Sequence, residues 1–141
     1  MDWGPNTESE TRAFVKLAVG YQSERPRRHH ELAATLMGTG ELIGGCGIEK
    51  RPMWKDGVIG YCFNKAYWGK GYATEAVRTL LEFGFNRLAL HRIFANCDPS
   101  NVASNRVLVK AGMKLEGHLR ENFRVRGRWR DTMIYGILER E

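Results

Sequence analysis

Apolar residues follow two different spacings along this chain, and the spacing changes at breaks rich in glycine, proline and charge. Apolar residues three and four positions apart predict helices, whereas short apolar runs between turn residues predict strands. The predicted helices lie within residues 6–23, from the glycine turn at 69–71 to about residue 88, and over residues 102–111. The predicted strands cover residues 32–37, 41–48, 57–63, 91–97, 115–125 and 130–138.

Turn and cap residues at the ends of these segments support the assignment. Thr7 or Ser9 is a candidate cap for the first helix. The turn Gly38-Thr39-Gly40 predicts a hairpin between the first two strands. Gly112 suits the end of the third helix, and Gly127 suits the turn between the last two strands. Glycines 44, 45 and 47 within the second strand predict a bulge or a close backbone approach.

A glycine turn joins the strand at 57–63 to the helix that follows it. Gly69 and Gly71 permit a tight turn and a close approach of a ligand to the backbone. The N–H groups of the first helical turn lack partners within the helix, so they form an anion site, and Lys70 adds a mobile positive charge. The Gly-x-Gly pattern alone fits an ordinary strand-to-helix loop equally well. The helix returns to a strand at 91–97, and this βαβ unit predicts that its two strands are parallel.

Length and composition describe one globular unit. The 141 residues, 43% of them apolar and 27% charged, fit a single domain over residues 1–141. No apolar run reaches the roughly 18 residues that a membrane span needs, and the first residues lack the features of a signal peptide, so a cytoplasmic location is expected. Cys46, Cys62 and Cys97 are scattered and odd in number, which predicts reduced, buried thiols with neither a disulfide framework nor a zinc site. The adjacent residues His29 and His30 are expected to lie in a loop rather than to form a metal site.

The chain is basic, with a net charge of +6. Such a charge suits nucleic acid or a polyanionic cofactor. Much of the excess comes from alternating arginines, which strand geometry would place mainly on one face. These arginines are Arg120, Arg124, Arg126, Arg128 and Arg130. No aromatic-rich RNA-binding signature accompanies them, so nucleic acid ranks second as a partner.

Several motifs stand in the order found in a known superfamily. The segment from Gly60 to Ala76 resembles the cofactor motif of GNAT-superfamily N-acetyltransferases. Further motifs resemble its RimJ/RimL-type branch, which acetylates the N-termini of ribosomal proteins. They are His91-Arg92-Ile93, Asp98-Pro99-Ser100-Asn101-Val102-Ala103-Ser104, Val107-Leu108, Lys110-Ala111-Gly112, Glu116-Gly117, Leu119-Arg120-Glu121, and Asp131 with Tyr135. The match spans residues 41–141, and the ordered set is far more specific than the glycine motif alone.

The resemblance implies an α+β fold of the three-layer type, with a mixed, mostly antiparallel sheet around a central parallel βαβ unit. It also implies acetyl-CoA as the donor, direct transfer to a primary amine, and no metal. The strands at 57–63 and 91–97 would splay apart, and the pantetheine arm would lie between them against Tyr61, Cys62 and Phe63. The backbone from the glycine turn would bind the pyrophosphate. Its residues are Trp68, Gly69, Lys70, Gly71, Tyr72, Ala73 and Thr74.

Asn101 and Ser104 lie one turn apart at the start of a helix, so they face the same side. The family pattern would place Asn101 on the pantetheine amides and Ser104 near the sulfur, where Ser104 could protonate the departing thiolate. Without the resemblance, Asn101 is a helix cap and Ser104 a residue of the first turn. Tyr135 is the competing acid, although a strand tyrosine is more often part of the core.

Only the pKa of the acceptor amine restricts which class of amine is expected to react. An α-amino group has a pKa of about 7.7–8.0 and lysine about 10.4, so deprotonation at pH 7 costs roughly 1 and 4–5 kcal/mol respectively. Glu121 is the leading candidate base, with Glu116 and His118 nearby. The lack of an evident strong base favours a peptide N-terminus, as in ribosomal proteins, or a small amine of low pKa.

Two departures from the family pattern bear on function. Ala66 stands where the superfamily usually has glutamine or arginine, which removes one contact to the phosphates. The branch also usually begins with another strand and helix before the equivalent of Trp3. An uncovered sheet edge would then favour a homodimer or a partly open protein. A non-catalytic acyl-CoA sensor and, further behind, an RNA- or ribosome-binding module are the alternative functions.

Overall fold

Residues 7–141 are described by a computed structural model. The strands are β1 (His29–Thr35), β2 (Leu42–Arg51), β3 (Asp56–Phe63), β4 (Arg92–Cys97), β5 (Lys114–Val125) and β6 (Arg128–Leu138). The α-helices are α1 (Glu8–Gly20), α2 (Tyr72–Asn86) and α3 (Val102–Lys110). All six strands form one sheet in the order β1-β2-β3-β4-β6-β5. Each predicted element is present, and most boundaries shift by only a few residues.

The sheet is mixed, and its one parallel pair lies at the centre. β3 and β4 run parallel with α2 as the crossover between them, and every other pair of neighbours is antiparallel. This confirms the predicted α+β fold with a central βαβ unit. The parallel pairing stops at Ile59 and Ala95, although β3 continues to Phe63 and β4 to Cys97. The two strands therefore diverge, as the resemblance implied.

The core lies between the centre of the sheet and one face of α2. Val77 and Leu80 of the helix, Ile48 of β2 and Ile93 of β4 are almost fully buried. Side chains of this kind each contribute about 1.5–3 kcal/mol when they leave water. The core therefore holds α2 firmly against the root of the β3–β4 pair.

The N-terminal helix is formed but hardly packed. Thr7 caps α1, because its hydroxyl accepts from the N–H of Glu10 while the Glu10 carboxylate accepts from the N–H of Thr7. The apolar stripe that predicts this helix is not buried, since Phe14 is 52% exposed and Leu17 is 55% exposed. Helix propensity and capping, rather than burial, account for α1.

The glycine-rich part of β2 has both a bulge beside it and a close approach of the backbone. The register of β1 and β2 shifts between Ala34 and Thr35, beside Gly44, and a Cβ at Gly44 would lie 2.5 Å from the carbonyl oxygen of Cys62. The predicted bulge and close approach are therefore both present. Cys46 and Cys97 are buried and Cys62 is half-buried, and none of the three takes part in a disulfide. None of the described helices is long and apolar enough to cross a membrane.

The two histidines do not form a loop pair, which corrects that prediction. Both lie in β1, opposite Glu49 and Ile48 of β2. His29 stacks on Tyr21 and bonds to the carboxylate of Glu24. These contacts extend the strand toward its N-terminus, and they join residues that no local pattern links.

The alternating arginines do not share one face, and that prediction is also wrong. Arg124 pairs with Trp129, whereas Arg128 pairs with Val125. Cross-strand partners share a face of the sheet, so Arg124 and Arg128 point to opposite sides. Arg126 lies at the turn with a positive φ of 51°. The two-residue connection offsets the alternation of β5 from that of β6 and divides the basic stripe.

Candidate functional site

A cleft of about 290 Å³ opens where β3 and β4 diverge. It is bounded by the end of β3, the turn before α2, and the first turns of α3. Of the residues predicted to bind a cofactor, it is lined by Tyr61, Cys62, Phe63, Trp68, Gly69, Gly71, Tyr72, Ala73, Thr74, Asn101 and Ser104. Lys70 is the exception: its side chain is exposed, with the ammonium 5.6 Å from the ring centre of Tyr67. The structure thus gathers nearly all of these residues around one space.

The backbone of β3 faces this cleft with polar groups. The N–H of Asn64 donates to Ile43 of the neighbouring strand at 2.9 Å. Because successive strand residues point to opposite sides, Phe63 and Tyr61 direct their N–H and C=O groups away from β2 and toward the gap. The indole N–H of Trp68 donates to the carbonyl of Phe63 at 2.8 Å. At Phe63 the cleft is therefore offered a donor rather than an acceptor.

The turn before α2 leaves a row of backbone N–H groups without partners in the helical ladder. Gly69 and Gly71 have φ values of 75° and 84°, a conformation that side chains resist. The first bond of the helical ladder runs from the N–H of Glu75 to the carbonyl of Gly71 at 3.0 Å. The N–H groups of residues 72–74 precede that ladder and carry the positive end of the helix dipole. The prediction of a phosphate site rests on this geometry.

The start of α3 supplies the opposite wall. The side chain of Asn101 caps the helix by accepting from the N–H of Ser104 at 3.1 Å, and it still lines the cleft. The hydroxyl of Ser104 lies 2.7 Å from that of Tyr61. Burial raises the pKa of Tyr61 to about 12. A partly buried pair of hydroxyls therefore joins β3 to α3 inside the cleft.

An ion pair holds the loop that leads into α3. Arg130 of β6 donates to the carboxylate of Asp98 through two nitrogens, at 3.1 and 2.6 Å. The other carboxylate oxygen of Asp98 accepts from the N–H of Ser100 at 2.7 Å. Sequence reasoning missed this pair, because 32 residues separate its members and the arginine was considered only as part of the alternating stripe.

The other two predicted catalytic residues do not line the cleft. Tyr135 is only 5% exposed, and this burial raises the pKa of its hydroxyl. The hydroxyl donates to the side-chain oxygen of Asn105 at 2.7 Å. Glu121 lies in a separate surface depression with His118 and Asp131. Glu116 pairs with Arg92 instead. The structure therefore brings Ser104, but neither Tyr135 nor Glu121, to the cofactor-binding residues.

Asp131 organises that separate depression. Its carboxylate accepts from the N–H of Glu121 at 2.8 Å and lies 2.7 Å from Nε2 of His118. These two bonds, in that order, lower the pKa of Asp131. Glu121 has a φ of 46° at this point, where the register of β5 and β6 shifts. The arrangement fixes a bulge in β5.

Some cleft residues were not predicted. Arg106, Val107 and Lys110 continue the α3 wall, and Ala103 belongs to it as well. Ala103 is exposed and lines the cleft. The spacing of Arg106 and Lys110, four residues apart, was the available signal for a basic helix face beside the cradle. Among residues 7–141, no cluster of three or more His, Cys, Asp or Glu is placed to hold a metal ion.

Comparison with known proteins connects this geometry to a family. The acetyltransferase (GNAT) domain matches residues 1–114. The uncharacterized N-acetyltransferase YnaD of Bacillus subtilis is 37% identical over 98% of this chain and 78% of its own length. A crystal structure of a GNAT-family acetyltransferase from Bacillus anthracis superposes with a TM-score of 0.85 at 36% identity, over 98% of this chain and 78% of that one.

The ribosomal branch is represented at lower identity. The [ribosomal protein uS5]-alanine N-acetyltransferase of Escherichia coli is 30% identical over 69% of this chain, which there spans 51% of the relative's length. A family match over most of the chain, the fold and the agreement with YnaD lead to one conclusion. This chain belongs to the GNAT family of N-acetyltransferases.

Proposed function

We propose that this protein transfers the acetyl group of acetyl-CoA directly to a primary amine, within one acetyltransferase domain. The observation that carries the proposal is the cleft itself, which combines an open strand edge, a glycine cradle and two α3 side chains. Bound acetyl-CoA would supply the activated acyl group. The remaining steps depend on residues of this chain.

The residues present fit such a cosubstrate. The N–H groups of residues 72–74 would bind the pyrophosphate, and Arg106 and Lys110 add positive charge to the same cleft. The backbone of Tyr61 would pair with an amide of the pantetheine arm, as a neighbouring strand would. The Phe63 N–H would stabilise charge on the thioester oxygen, since its carbonyl is already bonded to Trp68. Asn101 would contact the arm, and Ser104 would donate to the departing sulfur.

We propose an α-amine, such as a protein N-terminus, as the acceptor. The Escherichia coli relative is named for acetylating an alanine of a ribosomal protein, which supports a protein acceptor here. Neither Glu121 nor Tyr135 lines the cleft, so the proposed mechanism gives them no proton transfer. An amine of low pKa suits a cleft that offers no strong base among its lining residues.

A thiol-release assay tests this proposal. Acetyl-CoA is offered with peptides bearing a free N-terminus, with the same peptides N-acetylated but containing lysine, and with small amines. Turnover that requires the free N-terminus is expected, and turnover on small amines alone would refute the protein acceptor. CoA binding by calorimetry with no turnover on any amine would refute the enzyme and favour the acyl-CoA sensor.

A further inference from the structure

We propose that the hydroxyl of Tyr61 positions the proton of Ser104, so that this proton points into the cleft toward the thioester sulfur. The inference rests on the proposed function and adds a positioning residue to it. The proposed function uses the backbone of Tyr61 in β3 and gives its side chain no part in the reaction. The side chain faces α3, and its hydroxyl lies 2.7 Å from Oγ of Ser104.

Two arrangements of the hydroxyl protons fit the distances between Tyr61 and Ser104. The Tyr61 hydroxyl has one proton and two acceptors within reach: Oγ of Ser104 at 2.7 Å and the carbonyl of Ser104 at 3.2 Å. The shorter contact is the stronger one, and the carbonyl belongs to α3, where it serves the helical ladder. In the proposed arrangement Tyr61 donates to Oγ and the Ser104 proton points elsewhere; in the opposite arrangement Tyr61 donates to the carbonyl and Ser104 donates to Tyr61.

The alternative for that proton is a bond back to the helix. Serine in a helix tends to donate to the carbonyl three or four residues earlier, which would turn the proton away from the cleft. When Oγ accepts from Tyr61, that bond competes with the bond back to the helix, and the proposed arrangement places the Ser104 proton on the cleft side. The high pKa of Tyr61, about 12, keeps the tyrosine protonated at neutral and mildly alkaline pH, so the donor is always present.

The consequence for the reaction is a fixed hydrogen bond to the leaving group. As the amine nitrogen bonds to the acetyl carbon, the carbon–sulfur bond breaks and its electron pair stays on sulfur. The Ser104 hydroxyl donates to that sulfur, while the amine releases its proton to solvent. Tyr61 takes no part in bond making. It acts only through Ser104.

The test is a titration of the bound CoA thiol by its ultraviolet thiolate absorbance, which needs no acceptor. The variants are Tyr61→Phe, Ser104→Ala and the double variant. Tyr21→Phe is the control, because its ring stacks on His29 away from the cleft. A hydrogen bond to the thiolate lowers the thiol pKa, so its loss should raise that pKa by about one pH unit in both single variants. The double variant should show no further rise.

Activity and binding complete the test. Turnover should fall about tenfold or more in Tyr61→Phe, since general acid catalysis contributes about 10²–10⁴-fold, while the affinity for desulfo-CoA stays unchanged. A thiol pKa in Tyr61→Phe equal to that of the wild type, or additive effects in the double variant, would overturn the inference. If the thiol titrates as expected but no amine is acetylated, the proposed function fails and the positioning role stands. A wild type that does not bind CoA would overturn both.

Discussion

Gly71 is the residue on which the cradle before α2 most depends. Its φ of 84° is strained for any side chain, and it lines the cleft. We expect Gly71→Glu to raise the Kd for CoA at least about tenfold, because a left-handed residue costs about 1–2 kcal/mol and the carboxylate adds repulsion of the phosphates. Isothermal titration calorimetry measures this change.

Gly127 provides a matched control for that substitution. It has a similar φ of 79°, but it lies in the turn between β5 and β6. Gly127→Glu imposes comparable backbone strain and the same charge outside the cleft, so CoA affinity should remain that of the wild type. Equal weakening in the two variants would contradict the assignment of the cradle.

Asp56 gives a pH-dependent prediction. It is 5% exposed at the start of β3, and its hydrogen bonds to Arg51, followed by the charge of Arg92, lower the pKa of its carboxyl. A lowered folded pKa stabilises the protein above the unfolded value of about 3.9, and this contribution is lost as pH falls through the folded pKa. Asp56→Asn should therefore cost about 1–3 kcal/mol at neutral pH and progressively less in acid.

Urea unfolding from about pH 3 to pH 7 measures that difference. Glu8→Gln is the control, because Glu8 and Arg12 form an exposed pair with side chains 80% and 78% exposed. Such a pair contributes about 0–1 kcal/mol. A constant difference between the wild type and Asp56→Asn across this range would show that the carboxylate charge is not responsible.

At the scale of elements, the loop between β4 and α3 depends on an arginine from another strand. Arg130→Met removes the partner of Asp98, whose side chain is only 10% exposed, so we expect a loss of about 1–3 kcal/mol in the free energy of unfolding. The loop carries Asn101, and CoA affinity should fall several-fold with it. Arg128→Met, on the exposed part of β6, is the control. Equal stability in the two variants would refute the role of the pair.

The order of elements could be predicted because local patterns determine it. The glycine turn, the cap at Thr7 and the apolar spacing of α2 involve residues within one or two turns of each other. The contacts of Tyr61 with Ser104 and of Arg130 with Asp98 could not be predicted in the same way, because 43 and 32 residues separate the partners. The same limit explains why His29 was not predicted to lie in β1, since its strand partner is Glu49. The arginines of the hairpin were assigned to a single face for a local reason, because the alternation was continued through the turn that offsets β6 from β5. A family motif can name Ser104, but only the fold shows which side chain holds it.

At the scale of the whole molecule, β1 is an edge strand. Within residues 7–141 it pairs only with β2, and Leu32 on it is 49% exposed. The carbonyl of Arg28 accepts from Lys50, so alternate residues up to Ala34 face β2 and Ala33 faces outward. An open edge with apolar side chains favours pairing with a second copy, and we expect concentration-dependent dimers.

Light scattering over a concentration series tests the expectation. Ala33→Pro removes an outward donor without breaking the β1–β2 ladder, so it should yield a folded monomer. Ala34→Pro, whose N–H faces β2, should instead destabilise the protein. A wild type that remains a stable monomer at every concentration would refute the dimer.

The divergence of β3 from β4 should also divide β3 into a part with slow amide hydrogen exchange and a part with fast exchange. The amides of Gly57 and Ile59 point toward β4 in the parallel ladder, where exchange with solvent deuterium requires the sheet to open. Beyond Ile59, the outward amides of Tyr61 and Phe63 face a gap, and they should exchange much faster. Saturating CoA should slow these two amides and leave Ile59 unchanged. Exchange rates along β3 would thus show which amides bond within the sheet and which are available to bond to a ligand.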